Sequence, residues 1–428
     1  MEILGVFTAI ILVIILLRKN KHLGGAMTLG ALIVAIFAGM NPIEITKTLW
    51  GSITAPTTVN LMLIVLFINI FSTLLQQTNS LEIMVNSLTR LLPDRRVLLV
   101  TLPSLIGMLT VPGGAVLSAP MIKEAGDQIK LTPAKLAATN MLYRHVWHLI
   151  FPLIPSIIII SELSQVPLRF FILFNLPVFI ATFLIGFKWL FRHAVIDTNY
   201  NRVEFTGPTS EENMNNLQTN SGIRQNILHF LRSIFPLFTA IALGILTPLE
   251  IPVSLLVGIL LAAINYLDWN NHPVTTIGQR FKNSIFKSKY GMVLTILGIM
   301  IFKDFVEASG AVEQMTEGLV ASGIPTTFLI VIVPFITAMI TGVNSAALGI
   351  SYPIMAPIMN PHEGNLALLG IFYAASVFGY FMSPFHLCLL LTKEYFKTSF
   401  NSMYKELTFP ASIMVIGGIL VGLIWEIF

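Results

Sequence analysis

The side chains best suited to chemistry lie in two apolar stretches, each of which proline interrupts. The first stretch carries Arg144, His145 and His148, and the second carries Ser383 and His386. A guanidinium can hold a carboxylate or a phosphate through two parallel hydrogen bonds, and an imidazole can carry a proton or donate to an anion. A proline inside a helix frees the carbonyl four residues earlier, so each stretch is predicted to unwind near these side chains.

Arg144 is the main candidate ligand for an anion. A charge well inside a membrane helix costs at least about 2.5–3.5 kcal/mol on insertion scales, and such charges are usually functional or paired. The alternative is a structural role, because Arg144 lies only about nine residues from the start of its helix. Its side chain can then reach the cytoplasmic interface or cap hairpin carbonyls. In the same way, each of the three histidines can be a proton carrier or a packed side chain.

Metal binding is not expected at these histidines. His145 and His148 are three residues apart, but the sequence places no carboxylate or thiol beside them, which argues against zinc. The single cysteine, Cys388, lies in an apolar run and is predicted to be a small buried side chain. We therefore expect no disulfide, no metal cluster and no cofactor, with Na⁺ considered only as a coupling ion.

The composition requires a lipid bilayer as the main solvent. Of the 428 residues, 55% are hydrophobic and only 11% are charged, whereas soluble domains carry about 25% charged residues. The net charge of +4 comes from Lys and Arg in short loops, without the basic surface and interleaved aromatics that are typical of nucleic-acid binding. The composition therefore excludes a soluble domain and argues against nucleic acid as a partner.

The sequence contains an internal repeat with an offset of 231 residues and no gap. A repeat of half the chain length in such an apolar chain is typical of transporters built from two related halves, with the binding site where the halves meet. The matching positions are Phe71, Glu82, Met84, Leu88, Pro103 and Thr110 with Phe302, Glu313, Met315, Leu319, Pro334 and Thr341.

Ten apolar stretches have about the length of a membrane-spanning helix. They are 2–18, 23–41, 57–77, 135–161, 168–188, 227–246, 251–267, 290–307, 364–392 and 408–427. Two more, 97–122 and 326–359, are interrupted at their midpoints. Because water cannot replace lost backbone hydrogen bonds inside a bilayer, such breaks must be buried in protein or line a cavity. We therefore predict re-entrant helical hairpins at 97–122 and 326–359.

The two hairpin tips offer ligands for ions. Hydroxyl oxygens and freed carbonyls suit Na⁺, and the amides at the start of a short helix suit a carboxylate. The alternative is that the tip glycines only allow close helix packing. The candidate ligands are Thr110, Pro112, Gly113, Gly114 and Ser118 in the first hairpin, and Thr341, Asn344 and Ser345 in the second.

The distribution of basic residues predicts the topology. With the N-terminus outside and each hairpin returning to its own side, about 20 of the 25 Lys and Arg residues face the cytoplasm, as the positive-inside rule requires. Five crossings plus one hairpin in each half make an odd number, so the second half must be inverted relative to the first. We expect an all-α polytopic protein of the inner (plasma) membrane with both termini outside.

The chain is predicted to divide into three parts. Residues 1–192 form the first repeat, residues 227–428 form the second, and residues 193–226 form a polar cytoplasmic linker without periodicity. The segments 80–92 and 311–322 alternate apolar and polar residues at helical spacing. This pattern predicts a helix along the membrane surface before each hairpin.

The arrangement resembles the ion transporter superfamily, which includes divalent-anion/sodium symporters, gluconate and lactate permeases and certain sodium/proton antiporters. Apart from the linker, the whole chain is similar to that plan of inverted repeats, each with a re-entrant hairpin and an unwound helix. The tip Pro112-Gly113-Gly114 and the run Ser383 to His386 most resemble one branch of integral-membrane proteins. Typical dicarboxylate symporters instead carry Ser-Asn-Thr at each tip. The resemblance implies a homodimer in which a transport domain slides against a fixed scaffold.

The leading hypothesis is a secondary active transporter for a small organic anion, coupled to Na⁺ or H⁺. The alternative is a cation/proton antiporter, which usually places an acidic residue at the membrane midplane, and the sequence has no clear one. A membrane enzyme is disfavoured because the chain lacks His-Glu-x-x-His, a nucleophile elbow and paired membrane aspartates. A passive channel fits two opposed hairpins poorly. Without a P-loop, the energy must come from an ion gradient unless a partner protein supplies it.

Overall fold

The computed structural model describes residues 1–19, 21–92, 94–108, 114–192, 194, 222–247, 249–268, 272–288, 290–321, 323–359 and 366–425. Every regular element within these ranges is a helix, as the composition predicts. The first hairpin tip, with Thr110, Pro112 and Gly113, and most of the predicted linker 193–226 lie outside the described residues.

The described part of the first half contains ten α-helices. They are α1 Glu2–Arg18, α2 Leu23–Phe37, α3 Pro42–Thr54, α4 Pro56–Gln77, α5 Ser80–Leu91, α6 Arg95–Met108, α7 Gly114–Gln128, α8 Pro133–His145, α9 Pro155–Ser164 and α10 Leu168–Leu190. A short 3₁₀ helix, Val146–Leu149, follows α8.

The described part of the second half also contains ten α-helices. They are α11 Ile223–Leu246, α12 Ile251–Ile264, α13 Pro273–Lys287, α14 Gly291–Ala308, α15 Ala311–Ala321, α16 Thr326–Thr341, α17 Asn344–Met359, α18 Leu366–Met382, α19 Leu387–Tyr395 and α20 Phe400–Trp425. The order of long, short and amphipathic helices is the same in the two halves, in keeping with the sequence repeat.

Several of the predicted spans are shorter in the structure. The described segments that are long and apolar enough to cross a membrane are α4, α10, α11, α20 and the stretch Leu366–Tyr395, which contains α18 and α19. Shorter apolar helices include α2, α9, α12 and α16. The predicted spans 23–41 and 251–267 run too far, since α2 ends at Phe37 and α12 at Ile264.

The predicted spans 135–161 and 364–392 are both interrupted, as their prolines predict. In the first, α8 ends at His145, and α9 begins at Pro155, where proline occupies the first helical turn. In the second, α18 ends at Met382 and α19 begins at Leu387. Proline lacks the amide hydrogen that a helix interior requires but fits the first turn, which explains the position of the first restart.

Four amphipathic helices connect the apolar ones. α5 and α15 coincide with the predicted surface segments 80–92 and 311–322. α3 and α13 were not predicted from the sequence; their polar residues separate the apolar stretches. Both begin with a proline, and α3 is capped by Asn41, whose side chain accepts hydrogen bonds from the amides of Ile43 and Glu44. Such a cap satisfies amides that have no partner within the helix.

Helix packing divides the described chain into two bundles. The first bundle consists of α1–α5 and α11–α15, and in its centre α2 packs on α14 and α4 on α12. The second bundle consists of α6–α10 and α16–α20, with α6 on α8, α16 on α18 and α10 on α20. A Cβ atom on Gly24 of α2 would lie 2.1 Å from the carbonyl oxygen of Leu294 in α14. These two helices therefore touch backbone to backbone.

Arg280 of α13 caps the C-terminal end of α12 in the first bundle. Its Nη1 atom donates to the carbonyl oxygens of Ala263 and Asn265 at 2.6 and 2.8 Å, and its Nη2 atom donates to that of Tyr266 at 3.2 Å. The last carbonyls of a helix have no partner within the helix. Arg280 therefore holds the surface helix α13 against the end of α12.

Arg280→Ala is expected to lower the free energy of unfolding by about 1–3 kcal/mol, because three carbonyls lose a charged donor. The measurement is the thermal unfolding of the purified protein in detergent. Lys282→Ala, at an exposed position of the same helix, is the matched control and should change stability by less than about 0.5 kcal/mol. Equal stability of the two variants would contradict the capping role of Arg280.

Candidate functional site

Two helix pairs accompany the interrupted helices: α6 packs on α7, and α16 on α17. Gly342 joins α16 to α17, and its φ of +66° lies in the left-handed region that favours glycine. A Cβ atom at Gly342 would lie 2.7 Å from the carbonyl carbon of Phe385. The turn between α16 and α17 therefore rests directly on the interruption between α18 and α19.

Arg144 and three histidines form a cluster where the two interruptions meet. Arg144, His145 and His386 are only 4%, 3% and 2% exposed. The rings of His145 and His386 are nearly perpendicular with centroids 4.6 Å apart, and the His148 ring stacks on His145 at 5.7 Å. The Tyr380 ring lies 4.1 Å from that of His386 and 5.1 Å from that of His148. The fold thus joins the predicted residues of both halves.

The cluster joins one cationic side chain to several polar groups. The Arg144 charge acts on His148, Tyr380 and His386, and burial strengthens such interactions. The Nδ1 atom of His148 is buried without a hydrogen-bond partner among the described residues, and neither ring nitrogen of His386 makes a hydrogen bond of regular geometry there. The cluster therefore combines a cation with polar nitrogens that a ligand can use.

Ser118 of α7, a predicted ligand, is hydrogen-bonded within the protein. Its Oγ donates to Oδ1 of Asn140 at 2.6 Å. The Nδ2 atom of Asn140 donates to the carbonyl oxygen of Ala115 at 3.1 Å and to Oγ1 of Thr392 at 3.2 Å. Asn140 therefore connects α7, α8 and α19. Gly114 is the first residue of α7.

The second predicted tip offers one amide group to a ligand. The Oδ1 atom of Asn344, which is 3% exposed, accepts a hydrogen bond from Oγ of Ser376 at 2.6 Å. Its Nδ2 atom is buried and has no hydrogen-bond partner in the described part of the chain. Thr341 donates to the carbonyl oxygen of Thr337 in its own helix at 2.8 Å. Ser345 follows Asn344 and is half-buried.

Ser383 holds the second interruption in place. Its Oγ donates to the carbonyl oxygen of Met339 in α16 at 2.6 Å and accepts a hydrogen bond from the amide of Phe385 at 3.2 Å. The Tyr404 hydroxyl donates to the carbonyl oxygen of Met382 at 2.9 Å. These bonds satisfy carbonyls beside the interruption and fix the segment that carries His386.

The structure places a thiol near one histidine of the first stretch, which the sequence did not predict. Metal-binding atoms of His145, His386 and Cys388 lie within 4.8 Å of one another. Ser376 and Tyr380 were also not assigned to the site from the sequence. The two-residue spacing of His386 and Cys388 could have pointed to the thiol, whereas the approach of His145 depends on the tertiary structure.

Comparisons with known proteins agree with a membrane transporter fold. A family model described as "Protein of unknown function (DUF401)" matches residues 2–205 and 213–425. The crystal structure of the YdaH transporter of Alcanivorax borkumensis is similar, with a TM-score of 0.61 over 90% of this chain and 89% of that chain at 15% identity. A search of the curated proteins finds no match. With its apolar helices, the chain is a multi-pass membrane protein of this fold.

Gly107 allows α6 to approach the backbone of Arg144 closely. A Cβ atom on Gly107 would lie 2.1 Å from the Arg144 carbonyl oxygen, whereas a Cβ atom on Gly278 of α13 meets open space. Both glycines lie inside helices. Alanine favours a helix over glycine at both positions by about 1 kcal/mol, so the two substitutions differ only in their surroundings.

Gly107→Ala is expected to destabilise the protein by about 1–3 kcal/mol, because the methyl group must push α6 away from α8. Gly278→Ala should leave stability unchanged or raise it by about 0.5–1 kcal/mol. Thermal unfolding of both variants in detergent is the measurement. If Gly107→Ala were as stable as Gly278→Ala, the close contact at Arg144 would not exist in solution.

Proposed function

We propose, from the premise that the chain belongs to the DUF401 family, that it is a secondary active transporter for a small organic anion. The observation that carries this proposal is the position of Arg144. It is 4% exposed and lies at the end of α8, where both interrupted helices meet, and its charge acts on His148, Tyr380 and His386. A buried cation among polar nitrogens in a transporter fold favours an anionic solute.

A carboxylate is the anion that this geometry suits best. A guanidinium matches the two oxygens of a carboxylate with two parallel hydrogen bonds. The Nδ1 atom of His148 and the Nδ2 atom of Asn344 are further buried nitrogens with no hydrogen-bond partner among the described residues. We propose Arg144, His148, Asn344 and His386 as the residues that bind the solute.

Coupling to H⁺ or Na⁺ is compatible with the residues around this site. The imidazole rings of the three histidines are candidate carriers of a proton. The oxygens of Thr341 and Ser345 at the second turn, with carbonyls freed at the interruptions, suit Na⁺. Thr110, Pro112 and Gly113 of the first tip remain candidate ligands from the sequence.

The two bundles support alternating access by movement of one bundle against the other. Within each bundle the contacts follow the repeat, as α9 packs on α17 and α7 on α19. The contacts between the two bundles do not follow the repeat. α17 packs on α14 and α15, and α9 packs on α4. The pairs of described helices that the repeat makes equivalent to these share no comparable contact. An equivalent interface would form if the second bundle moved, which is how inverted repeats generate two states.

The asymmetry of this interface also indicates which state the structure represents. In the topology that the basic residues predict, α9 and α17 belong to the outer half of the membrane and α7 and α19 to the inner half. The outer elements contact the first bundle, and the Arg18 guanidinium at the inner end of α1 lies 4.9 Å from the Phe385 ring at the second interruption. We infer an inward-facing state, with the first bundle as the fixed scaffold of a homodimer.

Arg144→Ala is expected to reduce uptake of the transported anion by about 10- to 100-fold, because hydrogen bonds to a charged group contribute about 1.5–3 kcal/mol. Arg144→Lys keeps the charge but loses the two-point geometry, so its uptake should be intermediate. The measurement is uptake into proteoliposomes of a panel of radiolabelled carboxylates and sulfonates, under a Na⁺ gradient and under a H⁺ gradient.

The matched control is Arg169→Ala, because Arg169 is exposed at the start of α10. It should transport like the wild type. Each variant is first checked for thermal unfolding in detergent, which separates lost binding from lost folding. Wild-type protein without gradient-driven uptake of any anion in the panel, together with unchanged behaviour of a folded Arg144→Ala, would refute the proposal. Large uncoupled currents would instead support a channel.

Inverted insertion of the halves can be tested at the equivalent surface helices α3 and α13. In a Cys388→Ser background, Lys47→Cys of α3 should react with a membrane-impermeant maleimide in intact cells. Lys282→Cys of α13 should react only after permeabilisation, because the basic loops are predicted to face the cytoplasm. Both lysines are exposed. Labelling of both cysteines from the same side would rule out the inverted arrangement, and Cys388→Ser alone serves as the unlabelled control.

A further inference from the structure

Three side chains that can bind a metal converge at the edge of the candidate anion site, and one of them, His386, belongs to both sites. They are His145 at the end of α8 in the first half and His386 and Cys388 at the start of α19 in the second. Their metal-binding atoms all lie within 4.8 Å of one another. The two imidazoles are almost completely buried, and the thiol is half-buried.

His145 is oriented as a metal-binding histidine usually is. Its Nδ1 atom lies 2.9 Å from the carbonyl oxygen of Met141. A carbonyl oxygen can only accept a hydrogen bond, so Nδ1 carries the hydrogen and Nε2 keeps a free lone pair. Metal-binding histidines commonly donate their second nitrogen to a backbone carbonyl in this way, which fixes both the tautomer and the ring direction.

His386 gives the independent reason to expect a ligand. It is 2% exposed, and although its ring approaches the backbone of Tyr380, neither ring nitrogen makes a hydrogen bond of regular geometry within the described residues. Leaving a buried polar group unsatisfied costs about 1–3 kcal/mol. A bound metal ion would use the lone pair of one of these nitrogens and remove part of that cost.

The neighbouring charge of Arg144 decides which metal ion fits. The guanidinium charge acts on both His145 and His386, so a divalent ion bound by one thiolate would add a second net positive charge to the same buried cluster. A monovalent ion bound by one thiolate is neutral. Thiolate and imidazole ligands together suit soft ions, and a set of two histidines and one cysteine is typical of copper.

We propose that His145, His386 and Cys388 bind one soft monovalent metal ion of the Cu⁺ type. On binding, the S–H bond of Cys388 breaks, its proton goes to solvent, and a sulfur–metal bond forms without a change of oxidation state. Ligand atoms about 2.0–2.3 Å from a metal lie about 3.3–3.8 Å apart. To bind the metal, the His386 and Cys388 side chains therefore have to rotate so that the ligand atoms move about 1 Å closer together.

A filled site would tie the end of α8 to the start of α19. These elements come from different halves of the chain but belong to the same bundle. Metal binding therefore stabilises the second bundle without linking it to the first. The inference does not depend on the transport of an anion, and binding can be measured on the detergent-solubilised protein without any flux.

The test uses Ag⁺ as the probe, because it has the charge and ligand preference of Cu⁺ and does not change oxidation state under these conditions. Purified full-length protein in a chloride-free nitrate buffer is titrated with Ag⁺, and bound silver and melting temperature are measured. We expect one tightly bound Ag⁺ per chain and a higher melting temperature. Cys388→Ser and His386→Gln should each abolish both effects, whereas His272→Gln, at an exposed histidine, should keep them.

Three results would overturn the proposal. The first is wild-type protein that binds no Ag⁺ stoichiometrically. The second is Cys388→Ser that binds Ag⁺ as the wild type does, which is decisive because Cys388 is the single cysteine of the chain. The third is Zn²⁺ that displaces Ag⁺ and stabilises the protein more, since this would contradict the charge argument from Arg144. Failure of the uptake experiments alone leaves these binding results unaffected.

Discussion

The structure depends on one constraint: inside a bilayer, a backbone carbonyl released by a helix break must find its hydrogen bond within the protein. Both broken helices meet it with side chains from neighbouring helices. The Tyr143 carbonyl accepts from Ser104 at 3.1 Å, the His148 carbonyl accepts from the Tyr373 hydroxyl, and the Met382 carbonyl accepts from Tyr404 at 2.9 Å. Each bond crosses between helices. The hydrogen bonds at the two helix breaks therefore connect the helices of the second bundle to one another.

Glycine at two positions allows neighbouring helices of the second bundle to pack closely. Gly107 brings α6 to the carbonyl of Arg144, and Gly379 of α18 would place a Cβ atom 2.3 Å from the carbonyl oxygen of Phe335 in α16. In both halves the first arm of a helix pair therefore touches the backbone of the following broken helix. This contact places Arg144 and the histidines in a buried position and leaves little freedom for the segments that carry them.

The sequence predicted those features that depend on local chemistry. Proline predicted both interruptions, and the internal repeat agrees with the same order of helices in the two halves. The charge of Arg144 pointed to the candidate site, whose role stays a prediction. The sequence did not predict α3 and α13, because a short amphipathic helix has no long apolar stretch to reveal it. Nor did it bring Cys388 to His145, since 243 residues separate them and only tertiary packing sets that distance.

The contacts between the two bundles do not follow the symmetry of the repeat. Two halves with the same helices would form equivalent contacts if the molecule were symmetric, yet α17 packs on α14 while the equivalent pair, α7 and α4, shares no comparable contact among the described residues. The Asn60 amide donates to the Glu162 carboxylate at 3.3 Å and so joins α4 to α9. In the proposed alternating-access cycle, these contacts belong to one of two equivalent arrangements. Because the other arrangement would use the same kinds of surface, the proposed cycle requires only a small free-energy difference, which a bound solute could shift.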